Sequence, residues 1–103
     1  MSDGGTFDYR RLDDVIHSRI RLAVMAILWS VDDAEFTYLR GRVGATDGNL
    51  STHLSRLTDS GYVDVSKGIA NGRPASRYRL SKDGRAAFRA YLKRMERLLG
   101  GVE

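Results

Sequence analysis

Asn49, Thr52, Ser55 and Arg56 set an amide, two hydroxyls and a guanidinium along one short stretch of chain. None of these groups is a ready nucleophile or general base. Together they form a set of directional donors and acceptors, suited to reading a flat polar edge. Leu50, Leu54 and Leu57 recur between them at i, i+4 and i+7, which predicts a helix with the leucines on one stripe and the polar groups opposite. Thr46 is placed to cap its N-terminus and Gly61 to stop it in a left-handed turn, so the helix is expected over 46–60. A helix held down by three leucines, with short polar side chains outward, meets the requirement for reading a DNA major groove. There an amide pairs bidentately with adenine and a guanidinium with guanine. Asn49 and Arg56 are therefore the candidates for base edges. Thr52 and Ser55 lie between them and can reach a base or a phosphate. Thr46 and Ser51, near the helix start, are better placed for phosphates. His53 sits at the flank of the stripe, where a phosphate or a contact with the following segment 62–80 is as reasonable as a base.

Charge distribution agrees with that reading. The net charge is +4, and between Arg40 and Arg94 the only acids are Asp47, Asp59, Asp64 and Asp83. That span holds twelve lysines and arginines, while the first third is held near neutrality by its aspartates and Glu35. The positive field thus falls on the part of the chain with the candidate reading helix, as a polyanionic partner would require.

Other chemistries find little support. There is no cysteine, which removes disulfides, thiolate metal sites and cysteine nucleophiles, and fits a reducing compartment. His17 and His53 have no nucleophile or ligand cluster at a useful spacing, and no glycine-rich phosphate loop follows a strand. The pairs Asp13-Asp14 and Asp32-Asp33 sit at expected helix starts, where the helix dipole accounts for them. No enzymatic activity, metal or cofactor is expected. The longest apolar run, Leu22 to Trp29, is far too short to span a bilayer, and the N-terminus has no signal character, so a cytoplasmic protein is expected. That run is read as buried core; nothing indicates a small-molecule effector, and nothing forbids one.

The elements that must position the polar face follow from periodicity. Residues 1–8 are expected to be a flexible arm, and 9–103 a single domain. A first helix is predicted over 9–30, with Leu12, Ile16, Ile20, Ala23 and Ile27 as its stripe, widened by Val24, Leu28 and Val31. A short second helix is predicted over 37–43, with Thr37 as N-cap and Gly44 as its stop. With the leucine helix it makes a helix-turn-helix. Arg40 and Arg42, near its end, are placed to hold DNA backbone. Residues 62–80 alternate as a hairpin: Val63 and Val65 share one face, Tyr78 and Leu80 one face, Arg77 and Arg79 the other, with Asn71-Gly72 as the tip. Pro74 belongs at the tip or on an edge. Such a basic hairpin is a wing. Arg73 is its candidate for the minor groove, and Lys67, Asn71, Arg77 and Arg79 are either phosphate ligands or solvated charges. Ser81 starts a last helix over 82–99, whose Phe88, Tyr91, Leu92, Met95, Leu98 and Leu99 form a heptad-like seam. That seam is read as a dimerisation surface, with packing on the chain's own first helix as the alternative.

In this order the chain resembles the winged helix-turn-helix transcriptional regulators, and most the small MarR/ArsR-like group of stand-alone winged-helix DNA-binding domains. The resemblance rests on Ile20 to Leu28, Thr46 to Leu54, Leu57, Gly61-Tyr62-Val63 and Tyr78 to Phe88, within a match from about Leu12 to Leu99. The fold expected is mainly α with a small β-hairpin: a three-helix core, a wing and a C-terminal dimerisation helix. The resemblance implies a homodimer with the leucine helix in the major groove and the wing tip on the minor groove or backbone. It also implies a short strand near Ala34 to Phe36 pairing with the wing. The expected function is sequence-specific regulation of transcription, with repression the favoured sense, on a pseudo-palindromic double-stranded DNA site. The alternative is a protein–protein module using the last helix. The thiolates of metal-sensing relatives are absent, so that sensing chemistry does not carry over, and the chain is shorter than full MarR proteins, so the resemblance does not by itself imply their dimer-cleft ligand pocket.

Overall fold

A computed structural model describes residues 13–100. The elements run α1 (Arg19–Ser30), β1 (Ala34–Glu35), α2 (Phe36–Val43), α3 (Asp47–Asp59), β2 (Val63–Ala70), β3 (Arg73–Leu80) and α4 (Lys82–Gly100). The expected arm over 1–8 and the expected helical residues 9–12 lie outside the described residues.

Helix α1 starts at Arg19, well after the expected position 9. Asp13 caps one isolated turn before it: its carboxylate accepts the Val15 N–H at 2.9 Å, and its carbonyl accepts the His17 N–H at 2.8 Å. The chain breaks after that turn, where the Ser18 N–H returns to the Ile16 carbonyl at 2.7 Å and Ser18 is extended at φ −146°. Ile16 is still buried, but from this turn rather than from a helical stripe. Within α1 the deepest residues are Val24, Met25 and Leu28, so Val24 and Leu28, expected at the margin of the stripe, are at its centre, while Ala23 and Ile27 are half-buried.

Helix α2 begins at Phe36, directly from β1, and Thr37 is not its cap. The capping position is Glu35, which makes no side-chain cap bond because its carboxylate pairs with Arg77. Gly44 closes the helix at φ +75° as expected, its N–H on the Arg40 carbonyl. Helix α3 is capped by Thr46, whose Oγ1 accepts the Asn49 N–H at 3.2 Å. It ends through Gly61 at φ +82°, with the Tyr62 N–H returning to the Leu57 carbonyl.

β2 and β3 are joined by Asn71 (φ +53°) and Gly72 (φ +75°), the two positive values a type I′ turn needs. β1 adds on the other side of β3, in the antiparallel order β1-β3-β2. The pair Ala70↔Arg73 closes the two-residue turn, so the next pair, Ile69↔Pro74, is a non-hydrogen-bonded one. Pro74 therefore turns its missing donor to the open edge beyond β1, which reaches only Tyr78 and Arg77.

The core gathers Ile16, Val24, Met25 and Leu28 with Leu39, the three α3 leucines, Val63, Leu80, Phe88 and Tyr91. The last two correct the expected seam. Phe88 and Tyr91 are only 4% exposed within the single chain, Phe88 lying 5.4 Å from Trp29 of α1 between ring centroids. The first turns of α4 pass over α1 and spend their apolar face there. What remains outward is further along: Leu92 and Leu99 are exposed, and Met95 and Leu98 are half-buried.

Candidate nucleic-acid interface

The burial of Leu50, Leu54 and Leu57 fixes the rotation of α3 about its axis. With those three inward, Asn49, Ser51, Thr52, Ser55 and Arg56 are all exposed, and Thr46 stands exposed at the capped end. Around the helix these residues divide. Ser51 and Ser55 border a crevice shared with Val65, Lys67 and Tyr78 of the hairpin. Asn49 and Arg56 lie on the other flank, toward the turn that precedes α1, where Arg56 Nη2 is 3.6 Å from Asp14 Oδ2. Both of those groups are largely exposed, so the pair is weak and leaves Arg56 available.

His53 is not part of the outward face. It is half-buried and turned toward α1, its Nδ1 2.9 Å from Arg21 Nη1. Arg21 is a residue that helical patterning passed over. Its Nε donates to the Val15 carbonyl and its Nη2 to the Asp14 carbonyl, so the guanidinium ties the turn before α1 to the flank of α3. Since Arg21 can only donate, His53 Nδ1 must accept, which requires a neutral ring with its proton on Nε2. Burial, then the Arg21 charge, push His53 below its ordinary value and hold it in that form. One signal was present in the chain: Arg21 precedes Val24, Met25 and Leu28 by three, four and seven residues, so it lies on the buried stripe itself.

The same turn is anchored at two further points. Tyr62, at the root of the hairpin, donates its hydroxyl to Asp13 Oδ2, and His17 Nδ1 lies 2.9 Å from the Tyr91 hydroxyl of α4. The Asp13 hydrogen bond, with burial and the charges of Asp13 and Asp83, pushes the Tyr62 phenol up to about 12.

The flanking cations are differently employed. Arg40 pairs with Asp47 at 2.6 Å, so a phosphate near the start of α3 must compete with that carboxylate. Arg42 donates to the Tyr38 hydroxyl at 2.7 Å and lies over its ring. On the wing, Lys67 stands opposite Ser76 and borders crevices with both α2 and α3, so it shares the sheet face of the helices. Arg73 and Asn71 are exposed at the tip. Arg77 and Arg79 are on the opposite face, and neither stands beside the reading helix. Arg77 is bound across the sheet, with Nη2 2.8 Å from Asp33 Oδ1 and Nη1 3.3 Å from Glu35 Oε2. Its role as a phosphate ligand gives way to that of a tether between β1 and β3, because two carboxylates already satisfy the guanidinium. Arg79 stands opposite Asp64. Arg77→Ala is accordingly expected to cost no more than about 1 kcal/mol in urea unfolding, since the pairs are half-exposed. It should leave the salt dependence of any DNA binding unchanged. A slope lowered by one phosphate contact would contradict the assignment.

Among the described residues no group of three His, Asp or Glu side chains gathers to hold a metal, and no helix is long and apolar enough to cross a membrane.

A family model described as a winged helix DNA-binding domain matches residues 20–99, from α1 through α4. An uncharacterized protein of Methanocaldococcus jannaschii is 32% identical over 89 residues, covering 86% of this chain and 97% of its own length. Among solved structures, a transcriptional regulator homologue protein from Pyrococcus horikoshii OT3 matches with a TM-score of 0.81 at 25% identity. That match covers 86% of this chain and 88% of the other.

Proposed function

The chain belongs to the winged helix DNA-binding domain family, and we propose that it is a sequence-specific transcriptional regulator of the MarR/ArsR-like kind, acting as a homodimer. One observation carries the reading. The outward face of α3 holds Asn49, Thr52, Ser55 and Arg56 with no apolar side chain among them, and Lys67 of the wing shares a crevice with Ser51 and Ser55 beside that face. α3 enters the major groove with Asn49 and Arg56 on base edges; Thr46 and Ser51 meet phosphates; the wing reaches the minor groove or backbone. The exposed remainder of the α4 seam, Leu92 and Leu99 with the half-buried Met95 and Leu98, joins two copies about a twofold axis, so the site is pseudo-palindromic. Repression is the favoured sense, by occupation of the site. Catalysis forms no part of this reading.

The test is fluorescence anisotropy with two labelled duplexes, one from the region upstream of the protein's own coding sequence and one scrambled, at two salt concentrations. Tight binding to the first that weakens steeply with salt is expected. Asn49→Ala should lose about tenfold on the first duplex and almost nothing on the second, as removal of one base contact requires. Sedimentation of the free protein should give a dimer, and Leu99→Asp should shift it toward monomer. No binding to any duplex at low salt would end the DNA reading and send the search to α4 for a protein partner.

A further inference from the structure

Ile69 is 77% exposed, more than any other large apolar side chain among the described residues. Pro74 stands directly opposite it on β3 and is exposed as well. This apolar pair lies one step in from the Asn71–Gly72 turn, far from the core. Alternation along the two strands fixes its face. Val63 and Leu80 are paired and buried at the root, followed on the same side by Val65 with Tyr78, Lys67 with Ser76, and then Ile69 with Pro74. The tip pair therefore continues the sheet face that borders α2 and α3.

Its surroundings are polar and cationic. Lys67 lies two residues before Ile69 on the same face, Arg73 adjoins Pro74, and Asn71 occupies the turn. An apolar centre with a cationic margin complements the DNA minor groove, whose walls are the C–H edges of the sugars and whose rims are phosphates. The hairpin is also stiff enough to hold such a contact. Its type I′ turn is closed, and Pro74 has a fixed φ with no donor left to desolvate. Resting on the reading of the chain as a DNA-binding protein, we propose that Ile69 and Pro74 form an apolar wedge that packs between the sugar walls of the minor groove. Lys67, on the same face, holds the neighbouring phosphate rim. The wedge adds a part of the affinity that salt does not screen, because it releases water rather than counterions.

Ile69→Ser tests this directly, since an exposed tip residue can change without disturbing the core; circular dichroism and melting temperature should match the parent. Binding to the specific duplex is followed by anisotropy over a series of salt concentrations. Ile69→Ser is expected to weaken binding about tenfold at every salt, with the slope of log affinity against log salt unchanged. Lys67→Ala should instead flatten that slope by about one phosphate contact. The difference between parent and Ile69→Ser should vanish when the minor groove is prefilled with netropsin. Binding by Ile69→Ser within twofold of the parent at all salts would overturn the wedge, as would a difference that survives a filled groove. If the parent binds no duplex at all, the DNA reading fails first and takes the wedge with it.

Discussion

Gly84→Ala is expected to lower the unfolding free energy by about 2–3 kcal/mol in urea. Helix propensity alone argues the reverse, because alanine in place of a helical glycine stabilises by up to about 1 kcal/mol. Packing decides the sign. A Cβ built on Gly84 falls 1.9 Å from the Tyr62 carbonyl oxygen and 2.8 Å from its carbon, both main-chain atoms with no rotamer to escape by. Around this contact Ser81 works from both ends: its N–H donates to the Tyr62 carbonyl, its hydroxyl donates to the Gly61 carbonyl, and its Oγ caps the Gly84 N–H. The start of α4 is thereby clamped on the corner where α3 turns into the wing. Alanine would push the helix off that corner and loosen the angle between reading helix and hairpin. Gly41→Ala is the control, since nothing lies within 4 Å of the added carbon on α2, and it should be neutral or stabilising. A Gly84→Ala protein as stable as the parent would mean that α4 is not seated as described.

Arg21→Met is expected to cost about 2 kcal/mol, the scale for losing charge-assisted hydrogen bonds at a partly buried site. Methionine keeps most of the apolar stem but strands the Asp14 and Val15 carbonyls and His53 Nδ1. The imidazole reports the loss separately. His53 titrates below its ordinary 6.5 because of burial first and the Arg21 charge second, so removing the charge should raise its midpoint part of the way back. Folding favours the neutral ring, so the unfolded chain takes up the proton first as pH falls. Stability is therefore undiminished above the unfolded value and declines as pH drops through it toward the folded one. In Arg21→Met this acid loss should shrink. Arg21→Lys separates charge from shape: the lowered midpoint should persist, while much of the stability is lost because an ammonium cannot span two carbonyls and a ring at once. NMR titration of the His53 ring with urea unfolding of both variants would check this. An unmoved midpoint in Arg21→Met would remove Arg21 from contact with the ring.

The features that were legible in the chain are those set by neighbours a few residues apart. Thr46 caps a helix three residues away, Leu50, Leu54 and Leu57 make one stripe, Asn71-Gly72 supplies two positive φ values, and Ser81 caps Gly84. Each is a local choice among few backbone states, so residue type and spacing suffice to determine it. Together they oriented the polar face of α3 and indicated the hairpin. The start of α1 is the local failure. Periodicity ran through from Tyr9, but the turn capped by Asp13 ends at an extended Ser18, and the helix starts only after it.

The rest needed the tertiary structure, because it depends on which distant segments meet. Arg77 read as a wing cation until Asp33 and Glu35, more than forty residues away, came to lie beside it. His53 read as a surface group until Arg21 arrived from α1, 32 residues back. Phe88 and Tyr91 carry the same apolar pattern as Leu92 and Leu99, and only the crossing of α4 over α1 separates core from free surface. Hydrophobic pattern states that a side chain needs cover; it carries no information on whether the same chain or a second one supplies it. Likewise, an arginine's charge is written in the sequence, but its availability to a phosphate is set by whatever carboxylates the fold brings within hydrogen-bonding reach.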